Sequence, residues 1–213
     1  MPLDLASLVE PATTALLAVE LKRVTVGDLQ GSSPHGAPGN PLGAVAAEQR
    51  LVPRLAELAA AARGAGARVV HCTAAFRPDG AGSATNAPIL AAAVKHRTRL
   101  LLGSPEAEPV RELGPEPDDL LSVRLHGVAP FVGTGLDASL RNLGIRTVVL
   151  VGGSVNLGIV GAAIEAVDLG YHVVIPRDGV IGHPVEYAEL VVEHTLALLA
   201  RITTVDELLA EWR

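Results

Sequence analysis

Residues 147–170 read TVVLVGGSVNLGIVGAAIEAVDLG, and this stretch decides the fold class. Its first five residues are apolar or β-branched and are followed by two glycines, which is typical of a buried strand. Residues 155–169 favour a helix, and Gly170 lies where a glycine commonly closes one. The stretch therefore predicts a strand, a glycine-rich turn and a helix in direct succession.

The same alternation extends in both directions along the chain. Short apolar runs predict further strands at 15–20, 69–72, 120–124 (the weakest) and 172–175. Helical spacing of apolar residues predicts helices at 44–63 with a start that Pro53 can shift, at 137–143 before Gly144, and at 185–199. Together they predict a three-layer α/β/α fold with a mostly parallel sheet of about six strands. Ligands of such sheets bind outside the carboxyl ends of the strands.

Composition narrows the class of protein and of partner. The chain has 213 residues, 49% of them hydrophobic, which predicts one domain over residues 1–213. A formal net charge of −6 without a long basic run argues against nucleic acid and against an anionic membrane surface, and favours a small-molecule partner. Residues 1–10 lack a basic segment before an apolar one, and no apolar stretch is long enough to span a bilayer, so we predict a cytoplasmic protein.

The types and spacing of possible metal ligands predict no metal and no cofactor. A single cysteine, Cys72, excludes an internal disulfide and a cysteine-rich zinc site, and we expect it to be a small buried thiol. No Asp and His spacing suggests another metal site. The glycine-rich turn at 152–158 lacks the G-x-G-x-x-G spacing of dinucleotide-binding proteins.

Four segments carry a resemblance to a known family: Phe131-Val132-Gly133-Thr134, the turn 152–158, residues 166–171 and Pro176-Arg177-Asp178-Gly179. In this order the sequence resembles the isochorismatase-like (cysteine hydrolase) superfamily over roughly the whole chain. The resemblance implies a catalytic acid at the end of strand one, a lysine before the aromatic-x-Gly-Thr segment, and a cysteine in the turn after strand four.

All three implied positions differ in this chain. Glu20 lies at the position of the acid and Gly158 at that of the cysteine. Leu125 lies at the position of the lysine, although a shift of one residue would place Arg124 or His126 there. Glycine has no atom that can attack a carbonyl, so covalent cysteine chemistry is rejected.

The resemblance leaves a second chemistry open. True isochorismatases also have glycine at this turn and cleave a vinyl ether by acid-assisted addition of water. Glu20 is then predicted to be the general acid, since burial at a strand end raises the pKa of a carboxyl group.

Six residues are predicted to contact the substrate. Backbone N–H groups and Ser154 in the turn are suited to an anion, and the predicted set is Gly153, Ser154, Asn156, Gly158, His126 and Phe131. Each has a structural alternative: glycines also permit tight turns, a loop histidine often bonds to backbone, and Phe131 also suits helix packing. His71 is expected in a buried strand, His183 in a loop, and Arg77 paired with Asp79.

Two functions fit these observations. The first is a hydrolase acting on a small carboxylated molecule, with Glu20 as acid and water as nucleophile. The second is a non-catalytic binding or structural protein that keeps the fold and the pocket. Residues 27–42 are either a lid, an interface loop or a plain linker. Helices at 185–199 and 205–212 either form a homodimer or higher homo-oligomer, or cover the last strands.

Overall fold

The computed structural model describes residues 4–29 and 39–213. Its strands are β1 (Thr14–Val19), β2 (Arg68–Ala74), β3 (Leu120–Arg124), β4 (Thr147–Gly153), β5 (His172–Pro176), β6 (Val180–Ile181) and β7 (Arg201–Thr203). Its α-helices are α1 (Leu5–Leu8), α2 (Pro41–Glu48), α3 (Leu51–Ala65), α4 (Pro88–Lys95), α5 (Leu136–Asn142), α6 (Val160–Asp168), α7 (Val185–His194) and α8 (Val205–Trp212).

These strands form one sheet with the order β3-β2-β1-β4-β5-β7, and β6 continues beside β4. All of their pairings are parallel. The predicted three-layer α/β/α fold with a mostly parallel sheet is confirmed. The described sheet has seven strands rather than about six, because β6 and β7 are only two and three residues long and leave no recognisable apolar run.

The sheet is covered on both faces, which explains the continuous apolar strands. In β1, Leu16 and Ala18 face the layer that contains α2, α3 and α8. Ala15, Leu17 and Val19 face the opposite layer, which contains α5, α6 and α7. Side chains alternate between the two faces of a strand, so a strand covered on both sides needs apolar residues at every position.

Three predicted helices have different bounds in the structure. The single helix predicted at 44–63 is two helices, α2 and α3, separated at Arg50, whose φ is 52°. Pro53 lies in the first turn of α3, where its missing N–H would have no intrahelical partner. Residues 155–159 form a π-helical turn before α6, and α7 ends at His194 before a short 3₁₀ turn. The predicted closing glycines, Gly144 and Gly170, have φ values of 72° and 88°.

The strand order places the reversal of the sheet between β1 and β4. From β1 the chain continues to β2 on one side, whereas β5 follows β4 on the other. Val19 is paired with Gly152 at the carboxyl end of the two strands. A Cβ atom at Gly152, where φ is 105°, would lie 2.2 Å from the carbonyl oxygen of Val19, so only glycine fits. The residue after Val19 therefore lies beside the glycine-rich turn, at the edge where open α/β sheets bind ligands.

Helices α7 and α8 differ in what they cover. Leu208, Leu209 and Trp212 of α8 are buried, and the Trp212 indole donates a hydrogen bond to the Val9 carbonyl at 3.0 Å. On α7, by contrast, Tyr187 and Leu190 are each 52% exposed. α8 thus covers the sheet, and the oligomer remains a prediction. Within the two described ranges, no helix combines the length and the apolar character needed to cross a lipid bilayer.

Candidate functional site

A cavity of about 300 Å³ lies at the carboxyl edge of the sheet. The ends of β1, β3 and β4 contribute to its lining together with α4. Its apolar wall includes Leu42, Phe76, Ile89, Leu90, Leu100 and Val128. Its polar lining includes Glu20, Lys22, Thr25, Arg124, Ser154 and Asn156. The cavity therefore combines a charged end with an apolar wall, as small-molecule sites usually do.

The backbone after β1 turns sharply and directs two charged side chains into this cavity. Glu20 has a φ of 59° in the left-handed region, and its N–H donates to the Cys72 carbonyl at 2.9 Å. The N–H of Lys22 then donates to the Glu20 carbonyl at 2.9 Å. The Lys22 carbonyl in turn accepts from the N–H of Thr25 at 2.9 Å. Glu20 and Lys22 thus both line the cavity from a turn fixed by backbone hydrogen bonds.

Glu20 lies between two cations. Its Oε1 accepts a hydrogen bond of 2.5 Å from Nη1 of Arg124, and its Oε2 accepts one from Nζ of Lys22. The side chains of Lys22, Arg124 and Glu20 are 1%, 8% and 15% exposed. Nε of Arg124 also donates to the Gly127 carbonyl at 3.1 Å, which orients the guanidinium. We call these three side chains the cavity cluster.

The cavity cluster corrects one prediction about Glu20. Burial by itself raises the pKa of this carboxyl group, but the charges of Arg124 and Lys22 outweigh burial and lower the pKa to about 2. The expected increase in the pKa of Glu20 is therefore wrong. Its physical reason is the pair of cations at the two carboxylate oxygens, and Glu20 is ionised at neutral pH.

Arg124, Leu125 and His126, the three residues left open for the family's lysine position, differ in their contacts. Among the three residues left open by the sequence, Arg124 contacts Glu20 and lines the cavity. Leu125 instead lies against Gly82, and its carbonyl accepts a hydrogen bond from Ser83 at 2.6 Å. Arg124 thus supplies a cation, although it is an arginine.

The structure offers no thiol at the cavity within its described residues. Gly158 lines the cavity, and a Cβ atom there would lie 3.2 Å from the Gly153 carbonyl oxygen and 3.6 Å from Cγ1 of Val19. Cys72 is fully buried, and burial raises its pKa to about 12. The prediction of a small buried thiol is confirmed, and a thiol that stays protonated is a poor nucleophile.

Three of the six predicted contact residues line the cavity: Ser154, Asn156 and Gly158. Gly153 lies behind them, where a Cβ atom would meet Ile181 at 3.1 Å. The N–H groups of Leu157 and Ile159 both donate to the Ser154 carbonyl, so these two donors of the turn are already used.

His126 and Phe131 are not brought to the cavity lining. Nδ1 of His126 accepts a hydrogen bond from the Ala84 N–H at 3.3 Å. Phe131 is buried and packs on Tyr171, with ring centroids 5.9 Å apart. For both residues the structural alternative, backbone bonding or helix packing, describes the observed contacts.

Several lining residues were not found from the sequence. Lys22, Thr25, Asn40 and His183 all line the cavity. Oγ1 of Thr25 and Oδ1 of Asn156 are buried without a hydrogen-bond partner in the protein. The one available signal was the spacing Glu20-Leu21-Lys22, two charged residues directly after an apolar strand.

Residues 30–38, most of the predicted lid or linker, lie outside the described residues. Asn40 and Leu42, at its end, line the cavity. Across the described ranges, no three His, Cys, Asp or Glu side chains are grouped closely enough to hold a metal ion. His71 is buried in β2, and Arg77 pairs with Asp79 at 3.0 Å, as predicted.

Known proteins are similar to this chain in sequence. A sequence model of the isochorismatase domain matches residues 14–207. Maleamate amidohydrolase of Pseudomonas putida is 30% identical over 154 residues, which cover 70% of this chain and 67% of that protein. The uncharacterized isochorismatase family proteins YecD of Escherichia coli and YwoC of Bacillus subtilis are 37% and 32% identical, but the matches span only 42% and 55% of their lengths.

Solved structures are similar over nearly the whole chain. An isochorismatase family protein of Burkholderia thailandensis is 25% identical with a TM-score of 0.73, covering 94% of this chain and 96% of that one. A cysteine hydrolase of Pseudomonas syringae has a TM-score of 0.78 at 19% identity, covering 96% of this chain and 94% of that one. At such identity the second similarity concerns the fold alone.

Proposed function

Because the chain belongs to the isochorismatase family, we propose that it hydrolyses a small carboxylated molecule with water, instead of a cysteine, as the nucleophile. The observation that carries this proposal is the cavity cluster, which retains an acid and two cations at a ligand-sized cavity while Gly158 leaves the nucleophile position without a side chain. Space at Gly158 is suited to a water molecule next to the substrate.

The charges of the side chains that line the cavity favour a carboxylated substrate. Glu20 is the one acidic side chain among the described lining residues, whereas Lys22 and Arg124 are both cationic. The cavity cluster therefore has an excess of one positive charge, which a carboxylate neutralises. The relative from P. putida is a maleamate amidohydrolase, and maleamate carries a carboxylate. The apolar wall opposite, including Phe76 and Leu90, fits the hydrocarbon part of such a molecule.

Glu20 accepts a hydrogen bond from the attacking water in this proposal. A carboxyl group whose pKa is about 2 holds no proton at neutral pH, so it does not begin the reaction as an acid. Each carboxylate oxygen has a further lone pair beyond the one used by Arg124 or Lys22, and a water molecule can donate to it. Glu20 then orients the attacking water, and the hydroxyl of Ser154 is available to the developing negative charge.

A second candidate function is binding without turnover. The observation that favours it is again the pKa of Glu20 of about 2, since such a carboxylate is a weak base. In that case the two cations hold a carboxylate ligand, and no bond is broken. The two functions share the ligand class and differ only in chemistry.

Turnover of isochorismate, maleamate and a panel of small amides separates the two. The purified protein is measured beside Glu20→Gln, with Glu112→Gln as a matched control because Glu112 is exposed on the surface. We expect Glu20→Gln to reduce turnover by about 10²- to 10⁴-fold and the control to be unchanged.

Thermal shift with maleate, a non-hydrolysable dicarboxylate, is recorded on the same three proteins. Stabilisation of the wild type without any turnover would support the binding protein and reject the hydrolase. Turnover that survives in Glu20→Gln would remove Glu20 from the chemistry.

A further inference from the structure

Lys22 is a buried ammonium group at the wall of the cavity, and neither the family pattern nor the spacing of motifs assigned it a role. Its side chain is 1% exposed, yet it lines the cavity and contacts Glu20. We propose that Lys22 is the proton-exchanging group of this site, donating a proton to the leaving group of the substrate while Arg124 holds Glu20 ionised beside it. The role of Lys22 as proton donor rests on the proposed hydrolase function, whereas the identity of Lys22 as the titrating group does not.

The position of Lys22 is fixed from several sides. Its backbone N–H donates to the Glu20 carbonyl, and its own carbonyl accepts from the N–H groups of Thr25 and Val26 at 2.9 and 3.0 Å. Lys22 also forms an antiparallel bridge with Pro109. A rigid backbone favours proton transfer to one atom, because the donating group is already held in the orientation that the reaction needs.

The other charged groups of the site are unsuited to exchanging a proton near neutral pH. Arginine is a permanent cation in proteins, so Arg124 serves as a fixed positive charge. Glu20, with a pKa of about 2, stays ionised. Cys72, beneath the site, has its pKa raised to about 12 by burial. The pKa of a lysine shifts readily on burial, and burial together with the charge of Arg124 lowers the pKa of Lys22 despite the opposing charge of Glu20.

The charges around Lys22 come from three elements. Glu20 belongs to the same turn and Arg124 to the end of β3, and His183, in the loop before α7, also lines the cavity. The neighbouring Arg23 is directed away, into ion pairs with two surface acids. Lys22 therefore faces one negative and one positive permanent charge, with His183 as the remaining titratable group of the lining.

The proton balance of the reaction closes within the cavity cluster. The oxygen of water forms a bond to the substrate carbon, and the bond to the leaving atom breaks with its electron pair on that atom. The leaving atom takes a proton from the Lys22 ammonium. The proton lost by water is taken up by the Lys22 amine, while Glu20 stays ionised, bonded to Lys22, and orients that water. Lys22 returns to its starting state, and the sum is substrate plus water giving acid plus protonated leaving group.

The chain contains only two lysines, Lys22 and Lys95, so their titrations can be followed individually. Protein labelled with ¹³C at lysine Cε is titrated by NMR without any ligand, and Lys95, exposed at the end of α4, is the internal control. We expect the Lys22 signal to titrate at lower pH than that of Lys95, and at still lower pH in Glu20→Gln, which removes its counter-charge. Lys22→Met assigns the signal.

Kinetics on the active substrate test the role itself. Lys22→Arg keeps the positive charge but cannot release a proton, so we expect kcat to fall by about 10²- to 10⁴-fold with KM changed by less than about threefold. The alkaline limb of the wild-type kcat/KM profile, which reports the free enzyme, should follow the NMR titration of Lys22. Lys95→Arg should match the wild type.

Two results would overturn the proposal: Lys22 titrating together with or above Lys95, or Lys22→Arg retaining both kcat and the alkaline limb of kcat/KM. An effect of Lys22→Arg on KM alone would likewise reject proton transfer and leave Lys22 as a carboxylate-binding cation. If the wild type turns over no substrate while Lys22 titrates below Lys95, the hydrolase fails but the assignment of the titrating group stands.

Discussion

Among the described residues, two carboxylates that are at most 15% exposed are each held by two basic side chains, and only one of these two lines the cavity. Glu20 lies between Lys22 and Arg124 at the carboxyl edge of the sheet. Asp119, just before β3, lies between Arg63 and His71. We call the second group the packed cluster, and its comparison with the cavity cluster separates structural from functional charges.

The side chains of the packed cluster form their hydrogen bonds with other groups of the protein. Arg63 donates to both oxygens of Asp119 at 3.0 and 2.7 Å, and to the carbonyls of Leu113 and Gly114 at 2.9 Å each. Asp119 also contacts Nε2 of His71 at 3.0 Å. These bonds connect α3, β2 and the segment before β3. In the cavity cluster, by contrast, the donors and acceptors converge on one carboxylate beside open space, which a ligand can occupy.

The largest expected effect is on the packed cluster. Asp119→Ala leaves the Arg63 guanidinium, only 16% exposed, without its carboxylate, and we expect a loss of about 3 kcal/mol in the free energy of unfolding. Urea denaturation measures it. Asp118→Ala is the matched control, because Asp118 is the exposed neighbour.

Glu20→Gln provides the other arm of this comparison. We expect a smaller loss of about 1 kcal/mol, because glutamine keeps one acceptor oxygen for Arg124 and because Lys22 can release its proton. Equal losses in Asp119→Ala and Glu20→Gln would mean that the two clusters are structural in the same way.

The pH dependence of stability should distinguish the clusters next. Burial lowers the pKa of His71 below 6.5, against the attraction of Asp119. Just below pH 6.5 the unfolded chain therefore binds more protons than the folded protein. The contribution of neutral His71 to the free energy of unfolding is complete above pH 6.5. It is lost as the pH falls from 6.5 through the lower pKa of the folded protein. The pKa of Glu20 moves from 4.5 to about 2, so its contribution is lost only as the pH falls from about 4.5 towards 2.

Urea denaturation of the wild type and His71→Gln between pH 7 and 5 measures this difference. We expect the wild type to lose stability with a slope of at most about 1.4 kcal/mol per pH unit, and His71→Gln to have a flatter profile. His172→Gln, at an exposed position, is the control. A wild-type profile that stays flat down to pH 5 would contradict the lowered pKa of His71.

The smallest expected effect on stability is that of a thiol placed at position 158. Gly158→Cys brings a Cβ atom to 3.2 Å from the Gly153 carbonyl, so we expect a loss of about 1 kcal/mol or less. Gly135→Cys, with no atom within 4 Å of its Cβ position, should cost less. We expect Gly158→Cys to form no acyl-enzyme, because Glu20 is already paired with two cations and is a weak base for the new thiol. Burst kinetics with maleamate would reveal an acyl-enzyme and contradict this.

Much of the fold was predictable because it depends on local patterns. Apolar runs identified five strands, and Gly144 and Gly170 correctly marked two helix ends. β6 and β7 escaped because they contain two and three residues. The break between α2 and α3 at Arg50 also escaped, since a left-handed residue other than glycine leaves no signature in the sequence.

The candidate site was predictable only in part. Glu20 and Gly158 were found because a strand end and a glycine-rich turn locate them. Lys22 was missed, because its approach to the cavity depends on the left-handed φ of Glu20. The contacts predicted for His126 and Phe131 were not observed, because a residue's place near the site in sequence does not determine which way its side chain packs.

The sequence by itself determined that position 158 has no nucleophile. It also determined that the single thiol, Cys72, lies on a strand and not in the turn that contains position 158, since both statements follow from residue identity and order. Only the tertiary structure decided that Arg124, 104 positions away, reaches Glu20, and that Glu20 is therefore ionised. The reason is physical: a pKa depends on the distance to other charges and on the exclusion of water, and both are set by packing between residues that are distant along the chain.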